Sequence, residues 1–200
     1  MVKEPISTVA ALLGSRICHD LISPIGAISN GVELLGLSGT SDTSELSLIS
    51  DSVDNANARV KFFRIAFGQA SAGQFSSSAE MSAILSALGT ARLTYSWAVT
   101  GDQSRDEVKM AALMMMCLET ALPRGGKITV ERSDDGHWSV CARAERLEPD
   151  PALWARLGQI TDIEDLRPAD VQFFLAPVQA ALLGRRITHI ATEGMLRLSA

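Results

Sequence analysis

The sequence predicts an α+β protein with a helical N-terminal part followed by a mixed helix and sheet domain. In residues 1–72, apolar residues recur at helical spacing in two runs that a short polar stretch separates. Residues 78–200 instead alternate helical segments with short runs that have the composition of strands. We therefore predict two domains with these bounds, the second an α/β sandwich with helices on one face of a mostly antiparallel sheet.

The first domain is predicted to be a helical hairpin. Its first helix starts near Pro5, a residue suited to a first helical turn, and ends at about Leu37. Residues 37–44 are rich in Gly, Ser, Thr and Asp and predict a loop, and either Thr43 or Ser44 is expected to cap the next helix. Two helices joined by so short a loop form an αα-hairpin.

The second predicted helix has the clearest periodicity in the chain. Its apolar residues follow one another in steps of three and four, which is the heptad pattern of bundled helices: Leu46, Ile49, Val53, Ala56, Val60, Phe63 and Phe67. A hairpin with so long a seam needs a covering partner. We expect a second copy to supply it, in a two-fold homodimer whose hairpins form a four-helix bundle.

The second domain is predicted to contain three main helices and two β-hairpins. The predicted helices are residues 79–88, 104–122 and 169–183. The predicted strands are residues 92–99, 127–132, 137–143, 185–191 and 195–199. Ser104 is a candidate cap for the middle helix, whose methionine-rich run predicts a buried position.

The composition argues against several classes of function. The formal net charge of −5, without a basic run, argues against binding to nucleic acid or to an anionic membrane. The sequence has neither the roughly 20 apolar residues of a membrane-spanning helix nor a signal peptide, so we expect a cytoplasmic protein. The isolated cysteines Cys18, Cys117 and Cys141 predict neither a disulfide framework nor a metal site.

A helical wheel places His19 opposite the apolar stripe of the first helix. That stripe consists of Leu13, Ile17, Leu21, Ile28, Val32 and Leu35. An exposed imidazole on a rigid helix is a nucleophile for phosphorus, and the adjacent Asp20 is placed to orient its ring. By geometry alone, however, the same position also fits an ordinary surface histidine.

The stretch from His19 to Pro24, His-Asp-Leu-Ile-Ser-Pro, resembles the phospho-acceptor box of histidine kinases, which reads His-Asp/Glu-Leu-x-Ser/Thr-Pro. The order of elements in residues 78–200 is similar to that of the kinase ATP-binding domain, and residues 125–130 look like the strand that follows its nucleotide-binding helix. The resemblance implies that His19 is the phosphorylated residue and that Asp20 is its catalytic neighbour.

The sequence departs from histidine kinases at the motifs that hold the nucleotide. Leu113 and Cys117 stand where the kinases have asparagines, and neither residue is a ligand for a hard cation. Residues 144–147 replace the Asp-x-Gly-x-Gly box, and residues 166–171 lack the glycine-rich lid. A nucleotide needs backbone amides exposed by glycine and a carboxylate. We therefore expect neither ATP binding nor kinase activity.

A histidine box joined to an ATP-binding domain without its motifs is similar to the ChpT-type histidine phosphotransferases of alphaproteobacteria. The likeness covers nearly the whole chain and is strongest in residues 17–24, 63–68 and 121–126. It implies a homodimer whose His19 relays phosphate between receiver-domain aspartates, from an upstream hybrid histidine kinase to response regulators. It implies no cofactor in this chain, because the receiver domain supplies the Mg²⁺.

We expect the receiver domain to dock on the face of the first helix that carries His19. The expected contact residues are Arg16, Ile22, Ser23, Gly26, Ala27 and Asn30. Two alternatives stay open at this point. One is a divergent histidine kinase that binds ATP through other residues, and the other is a dimeric scaffold that transfers no phosphate.

Overall fold

A computed structural model describes residues 3–38, 43–71, 73–163 and 165–200 of the chain. Helix α1 is Lys3–Ser38 and helix α2 is Thr43–Ala66, and the two pack against each other as a hairpin. Residues 39–42 of the predicted loop lie outside the described residues, and so do the side chains of the predicted caps Thr43 and Ser44.

The rest of the chain forms a five-stranded sheet covered by helices, which confirms the α+β prediction. The further helices are α3 (Ser78–Leu88), α4 (Arg105–Glu119), α5 (Pro151–Trp154) and α6 (Gln172–Leu182), with a 3-10 helix at Pro168–Asp170. The strands are β1 (Phe75–Ser76), β2 (Leu93–Trp97), β3 (Gln103–Ser104), β4 (Gly126–Arg132), β5 (Trp138–Arg143), β6 (Thr188–Thr192) and β7 (Met195–Ser199). The large sheet has the order β2-β4-β5-β7-β6, and its pairs are antiparallel except for β2 with β4.

Local side-chain contacts explain where the central helices begin. The Ser104 hydroxyl accepts a hydrogen bond of 3.4 Å from the backbone N–H of Glu107, so the predicted cap of α4 is confirmed. The Ser77 hydroxyl accepts a bond of 3.1 Å from the N–H of Glu80 and caps α3 in the same way. Helix α4 is buried throughout its methionine-rich part, as the sequence predicts.

The hydrophobic core of the sheet domain extends into the hairpin. Residues of the second half of α2 are buried in the same cluster as α4 and the sheet: Ala58, Phe62, Phe63, Ile65 and Ala66. Because α2 is anchored in this way, α1 and the sheet domain are held in a defined relation to each other. The part of α1 around Arg16 therefore lies beside the 3-10 helix of the second domain.

The stretch of residues 68–78, where the two predicted domains meet, has a structure of its own. Strand β1 pairs antiparallel with β3, and the backbone N–H of Arg105 donates to the carbonyl of Gln74 at 2.9 Å. The Lys109 ammonium donates to the carbonyl of Gly68 at 2.9 Å, which holds the chain just after α2. These donors come from α4, which is distant in sequence, so the composition of the stretch alone does not reveal its structure.

The end of the chain differs from the prediction at two boundaries. Helix α6 begins at Gln172, because residues 168–170 form a 3-10 turn instead of the first turn of the helix. Strand β6 begins at Thr188 and not at Arg185, since Gly184, with φ of 68°, ends the α6 region and Arg185 uses its side chain in contacts to the hairpin turn. Among the described residues, no helix combines the length and hydropathy needed to cross a membrane.

Candidate functional site

His19 lies in the middle of α1 with its imidazole in solvent. Its side chain is 84% exposed, whereas the side chain of the adjacent Asp20 is only 12% exposed. This confirms the predicted exposure of the histidine face. It also shows that the two members of the box face different surroundings, since Asp20 turns toward the second domain.

Asp20 uses each of its carboxylate oxygens for a different partner. Oδ1 lies 3.1 Å from Nδ1 of His19, and Oδ2 accepts a hydrogen bond of 2.9 Å from Nε of Arg16. Arg16 stands one helical turn before Asp20, which is the spacing at which helical side chains meet. Its guanidinium also donates to the backbone carbonyl of Ala169 in the 3-10 helix at 2.5 Å.

This geometry favours one tautomer of the imidazole. A carboxylate oxygen only accepts hydrogen bonds, so the contact to Asp20 places the ring proton of neutral His19 on Nδ1. The lone pair then lies on Nε2, the nitrogen that does not face Asp20. An exposed nitrogen with a free lone pair, backed by a carboxylate, is the arrangement that nucleophilic attack requires.

The residues expected to contact a receiver occupy two kinds of position. Ile22, Ser23, Gly26 and Asn30 are exposed, and Ala27 is partly exposed. Arg16 is different: only 14% of its side chain is exposed, because it lies between Asp20 and the second domain. Val32, predicted to lie on the buried stripe, is exposed in the single chain.

Gly26 leaves an open notch on the histidine face of α1. A Cβ atom built at this position meets nothing within 4 Å apart from the neighbouring backbone of its own helix. At Gly31, on the side of α1 that faces α2, the same atom would lie 2.6 Å from Cγ1 of Ile49. The two glycines therefore serve different surfaces, one open to solvent and one in the helix packing.

A small cavity beneath Asp20, lined by both polar and apolar side chains, was not predicted from the sequence. It has a volume of about 130 Å³, and its lining includes Arg16, Asp20, Arg59, Tyr95 and Glu119. The Tyr95 hydroxyl donates to Glu119 Oε1 at 2.9 Å, and burial raises the pKa of both groups above their usual values. Nothing in the local spacing of these residues signals the site, because they come from four separate elements.

The two positions of α4 that the sequence comparison set against the nucleotide-binding asparagines of kinases point into the core. Leu113 and Cys117 are completely buried in α4, and burial raises the pKa of the Cys117 thiol. Within the described ranges, no three His, Cys, Asp or Glu side chains are grouped as a metal ion would need. The arrangement around His19 therefore offers a nucleophile and a carboxylate, without a metal cluster in the described residues.

Comparison with known proteins gives matches over almost the whole chain. The family model for the histidine phosphotransferase C-terminal domain matches residues 78–194. The chain is 34% identical to protein phosphotransferase ChpT of Brucella abortus (strain 2308), over 96% of this chain and 94% of that protein. A solved structure of a bacterial phosphotransferase has a TM-score of 0.79 at 31% identity, and the match covers 96% of this chain and 94% of that one. The histidine kinase domain of the Erythrobacter litoralis blue-light activated kinase matches with a TM-score of 0.45 at 12% identity, over 96% of this chain and 91% of that one.

Proposed function

This chain belongs to the histidine phosphotransferase family, and we propose that it relays a phosphoryl group between receiver-domain aspartates through His19, without ATP-dependent kinase activity. The observation that carries this proposal is the pairing of His19 with Asp20. The imidazole is exposed to an approaching protein, while its Nδ1 atom is occupied by a carboxylate that is itself held in place.

The transfer step follows from this pairing. Nε2 of the neutral imidazole attacks the phosphorus of an aspartyl phosphate in line with the leaving carboxylate oxygen, so an N–P bond forms as the P–O bond breaks. The proton on Nδ1 stays on the ring, which becomes a phosphorylated imidazolium. The Asp20 carboxylate stabilises this positive charge at 3.1 Å. The reverse step delivers the phosphoryl group to the aspartate of a second receiver.

The metal ion for this step comes from the partner. A receiver domain would hold Mg²⁺ with its own carboxylates, and the ion would supply neutralisation of the charge on the transferring group. This chain contributes the nucleophile and its orientation. Catalysis then depends on positioning two proteins so that the reacting atoms meet, a contribution that is large in phosphoryl transfer.

The lack of kinase activity is supported by the surroundings of α4. Side chains at the kinase asparagine positions, Leu113 and Cys117, are buried among apolar residues and offer no oxygen ligand. The chain also lacks the glycines that expose backbone amides to phosphates in residues 144–147 and 166–171. A titration with ATP and Mg²⁺ is expected to give no binding, and saturable binding would favour a divergent kinase instead.

A homodimer is supported by apolar surface on the hairpin. Val53 and Val60, two residues of the predicted heptad seam, are exposed in the single chain, as is Leu46. Near Val60, an apolar groove of about 390 Å³ runs between α1 and α2, lined in part by Leu13 and Phe67. A second hairpin would cover this surface and complete a four-helix bundle.

The receiver domain docks on the exposed side of α1 around His19, in this proposal. Ile22 is the largest apolar side chain of the predicted contact set, and 68% of it is exposed. Ser23 and Gly26 are small and allow a close approach to the imidazole. The proposed partners of this surface are response-regulator receivers, which are cytoplasmic, so the proposal includes a cytoplasmic location for this protein.

The decisive experiment mixes the purified protein with a receiver domain carrying labelled aspartyl phosphate, without ATP. Label is expected to move to this protein and to be lost in acid, as phosphohistidine is. His19→Gln is expected to abolish uptake and to leave the circular dichroism spectrum unchanged, because the side chain lies in solvent. Uptake by the His19→Gln variant would contradict the assignment, and no uptake by the wild type would favour a scaffold.

A further inference from the structure

The carboxylate that orients His19 is held from the second domain. Arg16 Nε donates to Asp20 Oδ2 at 2.9 Å, and the other end of the same guanidinium donates to the carbonyl of Ala169 at 2.5 Å. Arg16 belongs to the hairpin and Ala169 to the 3-10 helix that precedes α6. One side chain therefore joins the phospho-acceptor pair to the sheet domain.

We propose that Arg16 is a positioning residue, which fixes the Asp20 carboxylate, and through it the tautomer of His19, only while the second domain is docked on α1. The inference rests on the proposed function and gives the second domain a role in the transfer step itself. It also assigns Arg16 a role other than that of the receiver contact predicted from its helix face.

The anchor on the side of the second domain is itself fixed. The Ala169 carbonyl accepts a second hydrogen bond, of 2.8 Å, from the side-chain amide of Gln172 at the start of α6. Gln172 is completely buried, so its amide does not move freely. The oxygen that receives the Arg16 guanidinium therefore has a defined position relative to the core of the domain.

The ion pair between Arg16 and Asp20 differs from an ordinary surface pair. Exposed pairs contribute little, because two mobile side chains lose freedom and water screens their charges. Here the two side chains are 14% and 12% exposed, and the guanidinium is held at both ends. A planar group with fixed donors loses less freedom for each bond that it forms, which makes arginine suited to such a bridge.

The charges around the small cavity give Arg16 a second effect on Asp20. Glu119 lines the same cavity as Asp20, and the two carboxylates repel each other. Arg16 lines the same cavity and attracts both carboxylates, and Arg59 of α2 attracts that of Glu119. Without the Arg16 cation, Asp20 loses the donor that holds its Oδ2 atom, and the repulsion from Glu119 is no longer offset, so the carboxylate is free to leave the rotamer that contacts His19.

The test compares Arg16→Gln and Arg16→Lys with Arg105→Gln in the full-length chain. Arg105 is a matched control, because it also bridges the two parts: it donates to the carbonyl of Arg64 at 3.0 Å and to the Ser76 hydroxyl at 3.1 Å. It does not contact Asp20 or His19. The two readouts are the single-turnover rate of phosphoryl uptake from a labelled receiver and the ¹⁵N chemical shifts of the His19 ring, which report its tautomer.

Arg16→Gln is expected to slow uptake by about 10- to 100-fold, the range for a misplaced reacting group, and to shift the His19 ring toward the Nε2-protonated tautomer. Arg16→Lys keeps the charge but not the two-ended contact and is expected to be intermediate in both readouts. Arg105→Gln is expected to lower the melting temperature only. If Arg16→Gln does not fold, as judged by circular dichroism, the lysine variant carries the same comparison.

Two results would overturn the inference. One is a wild-type tautomer ratio and uptake rate in both Arg16 variants. The other is an equal loss of rate in Arg105→Gln, which would mean that general loosening of the domains is responsible. Failure of the wild type to take up label would instead contradict the proposed function, and the tautomer measurement would still decide whether Arg16 positions the pair.

Discussion

The Nδ1 atom of His19 lies 3.1 Å from Oδ1 of Asp20, although the imidazole is exposed and the carboxylate is almost enclosed. This relationship separates two tasks between neighbouring residues. His19 meets the partner protein, while Asp20 faces the domain that holds it. The carboxylate can therefore act on the ring without occupying the space that a phosphoryl group and a receiver need.

The first prediction concerns the charge of Asp20. Asp20→Asn keeps the size of the side chain and removes the negative charge that stabilises the imidazolium. In one of the two orientations of the amide, it also presents a donor instead of an acceptor to the His19 ring. We expect the rate of phosphoryl uptake from a receiver to fall by about two orders of magnitude. Asp51→Asn, on the exposed surface of α2, is the control. A wild-type rate in Asp20→Asn would show that the carboxylate is not used.

The second prediction concerns the open notch at Gly26. A Cβ atom there meets nothing within 4 Å, so Gly26→Trp is expected to fold normally. The indole would project from the His19 face and obstruct a docking receiver, raising the dissociation constant of the receiver at least tenfold. Gly36→Trp is the matched control, because Gly36 is also exposed and open on α1 but lies farther from His19.

The binding of an unphosphorylated receiver, measured by titration calorimetry, checks this prediction. Equal affinities for the Gly26→Trp and Gly36→Trp variants would place the docking surface elsewhere. A loss of helicity in Gly26→Trp alone would contradict the open space that surrounds the Cβ position.

Elements defined by local chemistry could be predicted from the sequence. The Ser104 cap and the burial of the methionine-rich helix follow from residues within one or two helical turns. The exposure of His19 follows from the wheel of a single helix in the same way. Such features need only the periodicity of one segment and no knowledge of what packs against it.

Contacts between distant segments could not be predicted in this way. Arg16 lies on the polar face of α1, so its position fits a partner contact, yet its second acceptor is the carbonyl of Ala169, 153 residues along the chain. The pair of Tyr95 and Glu119 joins β2 to the end of α4. Periodicity shows which face of an element is polar, but the identity of its partner depends on how the elements pack.

The third prediction concerns the exposed part of the heptad seam. Val53→Asp combined with Val60→Asp places two charges on the apolar surface of α2, and burying them in a bundle would be strongly unfavourable. We expect sedimentation equilibrium to change from a dimer to a monomer. Leu182→Asp, at a still more exposed apolar position on α6, is expected to leave the dimer intact. A monomeric wild type, or a dimeric double variant, would contradict a bundle formed through this seam.

The last prediction concerns the Glu119 carboxyl under the phospho-acceptor pair. Burial raises its pKa above the usual value, so the folded state holds the proton more tightly than the unfolded state does. The contribution of this group to the free energy of unfolding is therefore largest in acid. It decreases as the pH rises from the pKa of Glu in the unfolded chain, about 4 to 5, to the raised pKa of the folded state. At neutral pH this carboxyl group therefore lowers the free energy of unfolding relative to an uncharged side chain of the same size.

Glu119→Gln is consequently expected to raise the melting temperature at pH 7.5. The amide oxygen still accepts the hydrogen bond from Tyr95, and no charge has to be buried. The gain should shrink as the pH is lowered, because the wild-type carboxyl becomes neutral and the two proteins then differ little. Calorimetry between pH 4.5 and 8 measures this difference, with Glu131→Gln on the exposed side of β4 as the control. A variant less stable than the wild type at pH 7.5 would mean that the attraction of Arg16 and Arg59 outweighs the cost of burial.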